Sequence, residues 1–273
     1  MIDIQGWSPD PQETTEILQP GPAHGLAGLL GAPFDGEELP PLWQWLYFLE
    51  RPPQDVLGPD GHPAEGRFLP PIPNRRRMFA GGRFLQREPL RVGDTVTRRD
   101  EMVAANIKQG RTGELLFVTV RQTFLRDGQK IAVEEQDLMY RCGAPDSAPP
   151  EPSYKEPVLN KTPWRTTFIA DPVLLFRFSA LTYNAHRIHY DEDYATNVEG
   201  HSGLVVHAPL LAILLLELPR LAGHKVTEFS FRARRPVYAG QPVAVVGHPD
   251  GELAVIGAAY ASGPVSALTA TFS

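Results

Sequence analysis

Two histidines and an amide lie close together in the segment LTYNAHRIHY, residues 181–190. His186 and His189 are three residues apart, and Asn184 lies two residues before His186. A histidine ring has an unperturbed pKa of about 6.5, so it can accept or donate a proton at neutral pH. An amide oxygen can hold a water molecule. The segment therefore has the groups that acid/base chemistry on water requires, although the same spacing also suits a histidine pair with purely structural hydrogen bonds.

A metal site is another interpretation of this segment. His186, His189, Asp191 and Asp193 are all ligand types, and a three-residue spacing can bring two imidazoles together. No further histidine or cysteine ligand set accompanies them in the sequence, so we predict no metal and no other cofactor. Two roles stay open for Asp191. It caps a short helix over EDYATN, or it orients His189 from behind.

An apolar stretch follows the histidines, APLLAILLLEL from Ala208 to Leu218. It is well short of the roughly 20 residues that cross a bilayer, so it predicts a buried helix and no membrane span. Residues 210–216 carry no polar stripe, which is typical of a helix that a sheet surrounds. Pro209 suits the first helical position and leaves the N–H of Ala208 free at the positive end of the helix dipole. We expect Pro219 to end the helix.

Alternating patterns typical of antiparallel strands fill much of the remaining chain. ELLFVTVRQTF, residues 114–124, alternates with a period of two, and QKIAVEEQDLMYR, residues 129–141, follows across the turn RDGQ as a hairpin partner should. In the second half, VTEFSFRARR, residues 226–235, places Phe229 and Phe231 on one face. The segments QPVAVVGH, ELAVIGAAY and VSALTATFS complete a meander.

Clusters of proline divide the chain into two units. The cluster at 144–152 indicates a linker, so we predict an N-terminal domain over 1–145, a linker over 146–160 and a C-terminal domain over 161–273. Each unit has the order strand, helix, then antiparallel strands. In the first unit the apolar run LWQWLYFL, Leu42 to Leu49, is predicted as the helix. In the second, a strand near Thr166 to Ile169 comes first.

Composition limits the function classes. A net charge of −6 and a pI near 5.8 argue against general binding of nucleic acid or anionic membranes. A single cysteine, Cys142, excludes an internal disulfide, and the N-terminus lacks the pattern of a signal peptide, so we expect a cytoplasmic protein. GPAHGLAG, residues 21–28, is spaced like a nucleotide loop but follows no predicted strand and lacks the fingerprint, so we assign it no function.

Two arginine clusters could bind the phosphates of coenzyme A or a substrate carboxylate. Arg75, Arg76 and Arg77 precede MFAGG, and Arg232 and Arg234 belong to a predicted strand. A solvated surface cluster is an equally good interpretation of each. We predict Arg76, Arg232 and Arg234 as substrate-binding residues. His207, just before the buried helix, is interpreted as a structural hydrogen-bonding group.

The segment FRFSALTYNAHRIHYDEDYA, with the later GLVVHAPLLA, resembles the hydratase segment of MaoC-like, type 2 enoyl-CoA hydratases and hydroxyacyl-thioester dehydratases. On the family frame His189 falls on the catalytic histidine, Asn184 on the catalytic aspartate and His186 on an asparagine. Ala208 falls on a glycine whose backbone N–H binds the thioester carbonyl. The chain departs from the family pattern in having an amide for the carboxylate and alanine for the glycine.

RRMFAGG, Arg76 to Gly82, together with NAHRIHYD is similar to the two-domain subgroup that includes type 2 hydroxyacyl-thioester dehydratases and mesaconyl-C4-CoA hydratases. The resemblance implies an α+β, double hotdog fold, in which two antiparallel sheets each wrap a central helix. It also implies one active site, in the second domain. The first domain has only His24 and His62, neither in a catalytic motif, and is expected to accommodate substrate without acting on it.

The resemblance implies a hydratase or dehydratase acting on a thioester of coenzyme A or acyl carrier protein, without a cofactor, in a homodimer. His189 would move most of the protons, Asn184 would hold the water, and His186 would orient it or carry a second proton. The Ala208 N–H would bind the thioester oxygen. We expect conversion of mesaconyl-C4-CoA to citramalyl-CoA.

Three other functions stay open. A (3R)-hydroxyacyl-thioester dehydratase of fatty-acid synthesis would need an apolar tunnel. A hotdog thioesterase would place a carboxylate against the helix, and Glu217 lies late on it. A non-enzymatic acyl-binding protein would not depend on His189.

Overall fold

The computed structural model of the protein describes residues 2–110, 113–142, 162–260 and 263–273. The predicted linker, 146–160, lies outside the described residues, so the domain bounds stay predictions. Within the described residues, ten strands form one antiparallel sheet in the order β1-β3-β4-β5-β2-β7-β10-β9-β8-β6. The strands are β1 Gln12–Ile17, β2 Arg75–Gln86, β3 Thr95–Gly110, β4 Gly113–Arg126, β5 Gln129–Cys142, β6 Trp164–Ile169, β7 Glu228–Ala233, β8 Pro242–Gly247, β9 Glu252–Tyr260 and β10 Gly263–Phe272.

The sheet contains the same strand order twice. Read from each outer edge towards the middle of the sheet, the first half runs β1-β3-β4-β5-β2 and the second runs β6-β8-β9-β10-β7. The halves meet where β2 pairs with β7, with Gly81 opposite Arg232 and Gly82 opposite Phe231. This repeat is the one expected for a double hotdog. The difference from the prediction is that the two sheets are joined edge to edge into one, which removes two exposed strand edges.

Three α-helices of the described chain pack on this sheet: α1 Pro20–Leu30, α2 Pro172–Thr182 and α3 Ala208–Leu221. The predicted buried helix is confirmed as α3, whose leucines and isoleucine from Leu210 to Leu216 are mostly buried. The prediction that Pro219 ends it was wrong, because the helix continues to Leu221. The Arg220 guanidinium binds the Glu217 carboxylate and the Pro33 carbonyl, which holds the last turn in place.

The helix predicted over 42–49 was wrong. Only Trp43–Leu46 is helical, as a short 3₁₀ turn, and Leu42 and Phe48 on either side have left-handed φ values of 71° and 55°. Those two residues cannot continue an α-helix. The turn buries Trp43, Leu46 and Tyr47 almost completely. The burial of large side chains therefore outweighs regular helical hydrogen bonding here.

The helix of the first half is instead α1, over PGPAHGLAGLL, which follows β1 directly. The sequence of α1 does not indicate a helix, because it is rich in glycine and glycine is a poor helix former. One of these glycines allows close packing: a Cβ added at Gly25 would lie 2.7 Å from a methyl carbon of Leu181 at the end of α2. The segment that resembled a nucleotide loop is thus a packed helix.

The strand predictions are confirmed. Leu116, Val118 and Phe124 of β4 are buried, and β4 pairs with β5 across a turn in which Asp127 and Gly128 both have positive φ. In β7 the buried residues are Phe229 and Phe231. A main apolar core includes residues of both halves, which places α3 in contact with the same cluster as α1. No helix among the described residues is long and apolar enough to cross a membrane.

The junction between the halves generates a test of the fold. A Cβ at Gly81 would lie 2.3 Å from the Phe231 carbonyl oxygen, so Gly81→Ala must separate β2 from β7. We expect it to lower the free energy of unfolding in urea by about 2 kcal/mol or more. Gly28→Ala on α1 is the control, since a Cβ there meets nothing within 4 Å, and it should be neutral or stabilising by about 0.5–1 kcal/mol. Equal urea midpoints for Gly81→Ala and Gly28→Ala would contradict the importance of the β2–β7 junction.

Candidate active site

The histidine segment is positioned by α2, a helix that sequence reasoning missed. Asp171 caps α2 by accepting a hydrogen bond from the Leu174 N–H at 2.7 Å, and Pro172 occupies its first turn. The signal was present in the sequence, because Asp followed by Pro before an apolar run is a typical helix start. The helix ends at Tyr183, which has a left-handed φ of 49°. This turn directs the chain back across the sheet into the segment that carries Asn184.

Asn184 shapes the loop. Its side-chain oxygen accepts a hydrogen bond from the His186 N–H at 2.9 Å. The oxygen predicted to hold water therefore already has a backbone donor. The amide nitrogen has no protein acceptor among the residues the structure describes, which leaves its two N–H groups for a bound molecule.

His189 has a defined tautomer. It ends the 3₁₀ turn Arg187–His189, is 6% exposed, and its Nδ1 lies 2.7 Å from the Val205 carbonyl oxygen. A carbonyl oxygen only accepts, so Nδ1 carries the proton and Nε2 keeps its lone pair. Burial lowers the pKa of His189 to about 4. At neutral pH the ring is therefore uncharged and can accept a proton at Nε2.

The ring of His189 stacks on that of His207, with centroids 3.6 Å apart and planes 20° from parallel. His207 is the residue immediately before α3 and is 1% exposed. Its Nε2 is hydrogen-bonded to the Ser179 hydroxyl at 2.9 Å, and Phe178 packs against its ring. These contacts fit the structural role predicted for His207, which holds the His189 ring at the N-terminus of α3.

Ala208 is the first residue of α3, and Pro209 follows it. The first N–H groups of a helix have no intrahelical acceptor, and the helix dipole makes this end positive. Since His189 stacks on the preceding residue, its ring and this helix end belong to one site. An oxygen that gains negative charge could be stabilised here while a proton moves at His189.

A histidine from the first half also joins the site. The rings of His62 and His186 have centroids 4.2 Å apart, and the rings of His186 and His189 are 5.5 Å apart and perpendicular. His62 Nδ1 lies 3.0 Å from the Asp60 carboxylate. The sequence assigned His62 to no motif, so its contact with His186 was not anticipated. The sequence GPDGH indicates a turn, and no local signal indicates where that turn docks.

The cluster combines neutral rings with one carboxylate. Burial, followed by the nearby His62 and His189, lowers the pKa of His186 to about 2, and burial lowers the pKa of His62. Burial would raise the pKa of Asp60, but its hydrogen bond and attraction to His62 lower it to about 2. At neutral pH the carboxylate is therefore ionised beside uncharged imidazoles.

One set of these side chains could hold a metal ion. Asp60, His62 and His186 each offer a ligand atom, and these atoms lie within 4.8 Å of one another. Only His186 belongs to the ligand set considered from the sequence. Asp191 is occupied as a cap, since it accepts from the Tyr194 N–H at 3.0 Å and pairs with Arg187 at 2.7 Å. Of the two roles open for Asp191, the capping role is the one that these contacts support.

The predicted substrate-binding arginines lie outside the histidine cluster. Arg76 forms an ion pair with Glu199 at 3.0 Å and donates to the Val198 carbonyl at 2.7 Å, so it ties β2 to the second half. Arg232 is exposed on β7, and the exposed Arg234 reaches the Thr269 hydroxyl at 3.3 Å. Phosphate binding by Arg232 and Arg234 stays a prediction.

Comparisons with known proteins agree on one family. The family model described as hydroxyacyl-thioester dehydratase type 2 matches residues 42–239. A mesaconyl-C4-CoA hydratase of Chloroflexus aurantiacus is 47% identical over 224 residues, which cover 81% of this chain and 79% of the relative. A mitochondrial hydroxyacyl-thioester dehydratase type 2 of Schizosaccharomyces pombe is 25% identical over 76% of this chain and 77% of its own length.

Solved structures share the fold at low sequence identity. HtdX of Mycobacterium tuberculosis superposes with a TM-score of 0.64 at 15% identity, covering 96% of this chain and 99% of its own. A MaoC-like dehydratase of Phytophthora capsici gives 0.66 at 13% identity, with 99% and 97% covered. A double hotdog protein of M. tuberculosis gives 0.56 at 16% identity, with 97% and 95% covered. The predicted double hotdog fold is confirmed.

The buried histidines make stability depend on pH. Between about pH 6.5 and 5 the unfolded chain takes up protons that His189, with a folded pKa of about 4, does not, so stability must fall as pH falls. For this one ring we expect a loss of about 1.5 kcal/mol, measured by urea unfolding.

His189→Gln should reduce the slope of the free energy of unfolding against pH between about pH 6.5 and 5, whatever its effect on the free energy of unfolding at pH 7. His248→Gln, which removes a half-exposed ring from the turn between β8 and β9, is the control variant. If His189→Gln had the same slope as the parent, the His189 ring would have the same pKa in the folded and the unfolded chain.

Proposed function

Because this chain belongs to the family of type 2 hydroxyacyl-thioester dehydratases, we propose that it hydrates mesaconyl-C4-CoA to citramalyl-CoA and catalyses the reverse dehydration. The chain is a hydratase/dehydratase by family, and the identity to the C. aurantiacus enzyme supports this particular substrate. The observation that carries the chemistry is the placement of His189, with an unprotonated Nε2, at the N-terminus of α3.

The proposed reaction begins with a water molecule beside His189. As the water oxygen bonds to the β-carbon, its proton passes to Nε2, and the Val205 carbonyl stabilises the resulting imidazolium through Nδ1–H. The electron pair of the double bond moves onto the thioester, whose oxygen accepts a hydrogen bond from the Ala208 N–H. Protonation of the α-carbon then restores the carbonyl. The dehydration follows the same steps in reverse.

Asn184 has an altered role in this proposal. Because its oxygen accepts from the His186 N–H, its amide nitrogen is the atom left to contact the reacting water or the product hydroxyl. An amide can orient that oxygen but cannot take its proton. His186 lies between His189 and His62, in a position to receive or return a proton.

A dicarboxylyl substrate needs a cation near the site, and we infer that Arg77 supplies it. Arg75 is engaged by the carbonyl oxygens of Pro63, Ala64 and Pro70, and Arg76 by Glu199. Arg77 is partly buried; its backbone pairs opposite Tyr140 of β5, and its guanidinium has no hydrogen-bond or ion-pair partner among the described residues. After burial and the groups closer to each ring, the Arg77 charge also lowers the pKa of His62 and of His186, as a cation within electrostatic range of both rings would.

A second candidate is a (3R)-hydroxyacyl-thioester dehydratase, which the S. pombe relative and the family description favour. It would act on an acyl chain without the second carboxylate, carried by coenzyme A or acyl carrier protein. The thioesterase alternative has no support, because the Glu217 carboxylate is paired with Arg220 near the C-terminal end of α3. We also propose a cytoplasmic location, from the single cysteine, and a homodimer, from the family resemblance.

The test of the proposed function is hydration of mesaconyl-C4-CoA, followed as loss of enoyl absorbance. We expect the parent to hydrate it in preference to crotonyl-CoA, and His189→Gln to lose about 10²- to 10⁴-fold in kcat because glutamine cannot take the proton. His248→Gln is the control and should match the parent. Hydration of crotonyl-CoA alone would favour the second candidate, and turnover by His189→Gln at the parental rate would exclude both.

Arg77 is tested by substrate selectivity. Arg77→Met should lower kcat/KM for mesaconyl-C4-CoA by about 30-fold or more, as expected for loss of a charged hydrogen bond to the second carboxylate. Its kcat/KM for crotonyl-CoA, which lacks that carboxylate, should change by less than about threefold. Arg165→Met, at an exposed position of β6 to which no binding role is assigned, is the matched control. Equal losses on both substrates would mean that Arg77 does not recognise the carboxylate.

A further inference from the structure

The proposed proton transfer places a positive charge on a buried histidine, where an unpaired charge is energetically unfavourable. When His189 takes a proton, an imidazolium appears in a site that is almost fully buried. An unpaired buried charge is strongly unfavourable, so a nearby anion would lower the energy of this state. Asn184, the polar side chain next to the histidines, brings no charge. Two neighbouring acidic groups are already paired, Asp191 with Arg187 and Glu199 with Arg76.

The turn at residues 58–62, GPDGH, brings the missing anion from the first half. The turn is closed by hydrogen bonds from the Gly58 N–H to the His62 carbonyl at 2.7 Å and from the Gly61 N–H to the Gly58 carbonyl at 3.0 Å. The Asp60 carboxylate accepts from the His62 N–H at 3.0 Å through Oδ1 and from the His62 ring at 3.0 Å through Oδ2. The carboxylate and the ring therefore form one rigid unit.

This turn docks directly on the histidine segment. The Arg187 N–H donates to the Asp60 carbonyl at 2.9 Å, and the Arg187 guanidinium donates to the Pro59 carbonyl at 3.0 Å. A Cβ added at Gly61 would lie 1.9 Å from the Ala185 carbonyl oxygen, so the two backbones touch where only glycine fits. As a result, the His62 ring lies against the His186 ring, with centroids 4.2 Å apart.

We propose that Asp60 and His62 form a positioning dyad that acts through His186 and supplies the negative charge that balances the imidazolium of the acid/base site. The inference rests on the proposed hydration and adds a role for the first half. The dyad transfers no atom to substrate. The water proton goes to His189, the hydroxyl oxygen bonds to the β-carbon, and the α-carbon receives one proton, so the histidine cluster holds one extra proton between these steps. Asp60 stays ionised throughout.

The decisive variant is Asp60→Asn. Asparagine can keep the hydrogen bonds that close the turn, but it removes the charge. We expect kcat to fall about 10- to 100-fold with KM within about threefold of the parent, because the lost interaction belongs to the transition state. The acid limb of the kcat profile should move to lower pH, because removal of an anion lowers the pKa of the histidines. The other charged or titratable neighbours, His189, Arg75 and Arg77, are unchanged in this variant.

A double variant distinguishes charge from structure. The Asn184 side chain accepts from the His186 N–H, so Asp60→Asn with Asn184→Asp returns a carboxylate to the residues around His186. We expect this double variant to regain at least about tenfold in kcat over Asp60→Asn. Asp55→Asn, an exposed acid on the same loop, is the control and should match the parent.

Two results would overturn the proposal. Parental kcat in Asp60→Asn, or a loss that Asn184→Asp does not restore, would assign the turn a purely structural role. Loss of activity with a chelator that Zn²⁺ restores would instead assign Asp60, His62 and His186 to a metal. Each rate is expressed relative to the parent on an enoyl thioester that the parent hydrates. If the parent hydrates another enoyl thioester but not mesaconyl-C4-CoA, the result counts against the proposed substrate and not against the dyad.

Discussion

The hydrogen bond from His189 Nδ1 to the Val205 carbonyl oxygen is the interaction on which the rest of the site depends. It fixes the tautomer, so that the lone pair is on Nε2, and it fixes the ring against His207. Val205 precedes α3 closely in sequence, so the bond also ties the His189 ring to the helix end whose first N–H groups have no intrahelical acceptor. One contact therefore sets both the atom proposed to accept the proton and its place beside the proposed oxyanion position.

The two halves of the chain are less separate in function than their repeated topology indicates. Both have the same strand order, yet the second has the histidine segment and the first brings Asp60 and His62 to it. The β2–β7 junction and the 58–62 turn fix the same geometry from two sides, because each brings backbones together at a glycine. In the proposed mechanism the first half thus takes part in chemistry that is centred on the second half.

Local sequence patterns predicted the elements whose burial follows a simple period. The alternation in β4 and β7 and the unbroken apolar run of α3 are of this kind. The errors occurred where tertiary packing overrides propensity. Glycines in α1 permit contact with Leu181 but suggest a loop, and the apolar run 42–49 is buried without being helical. His62 could not be assigned, because its contact with His186 depends on a turn docking far along the chain.

The amide at position 184 is the clearest departure from the family pattern, and the structure gives it a physical context. A carboxylate at 184 would add a second negative charge to the segment on which the Asp60 turn docks, and like charges repel one another. With the charge on Asp60, an amide at 184 can bond the His186 N–H and still offer two donors to an oxygen of the substrate. Charge and orientation are then supplied by different residues from different halves. Such a division explains how a site can lose a motif carboxylate and keep the electrostatic balance that proton transfer on water requires.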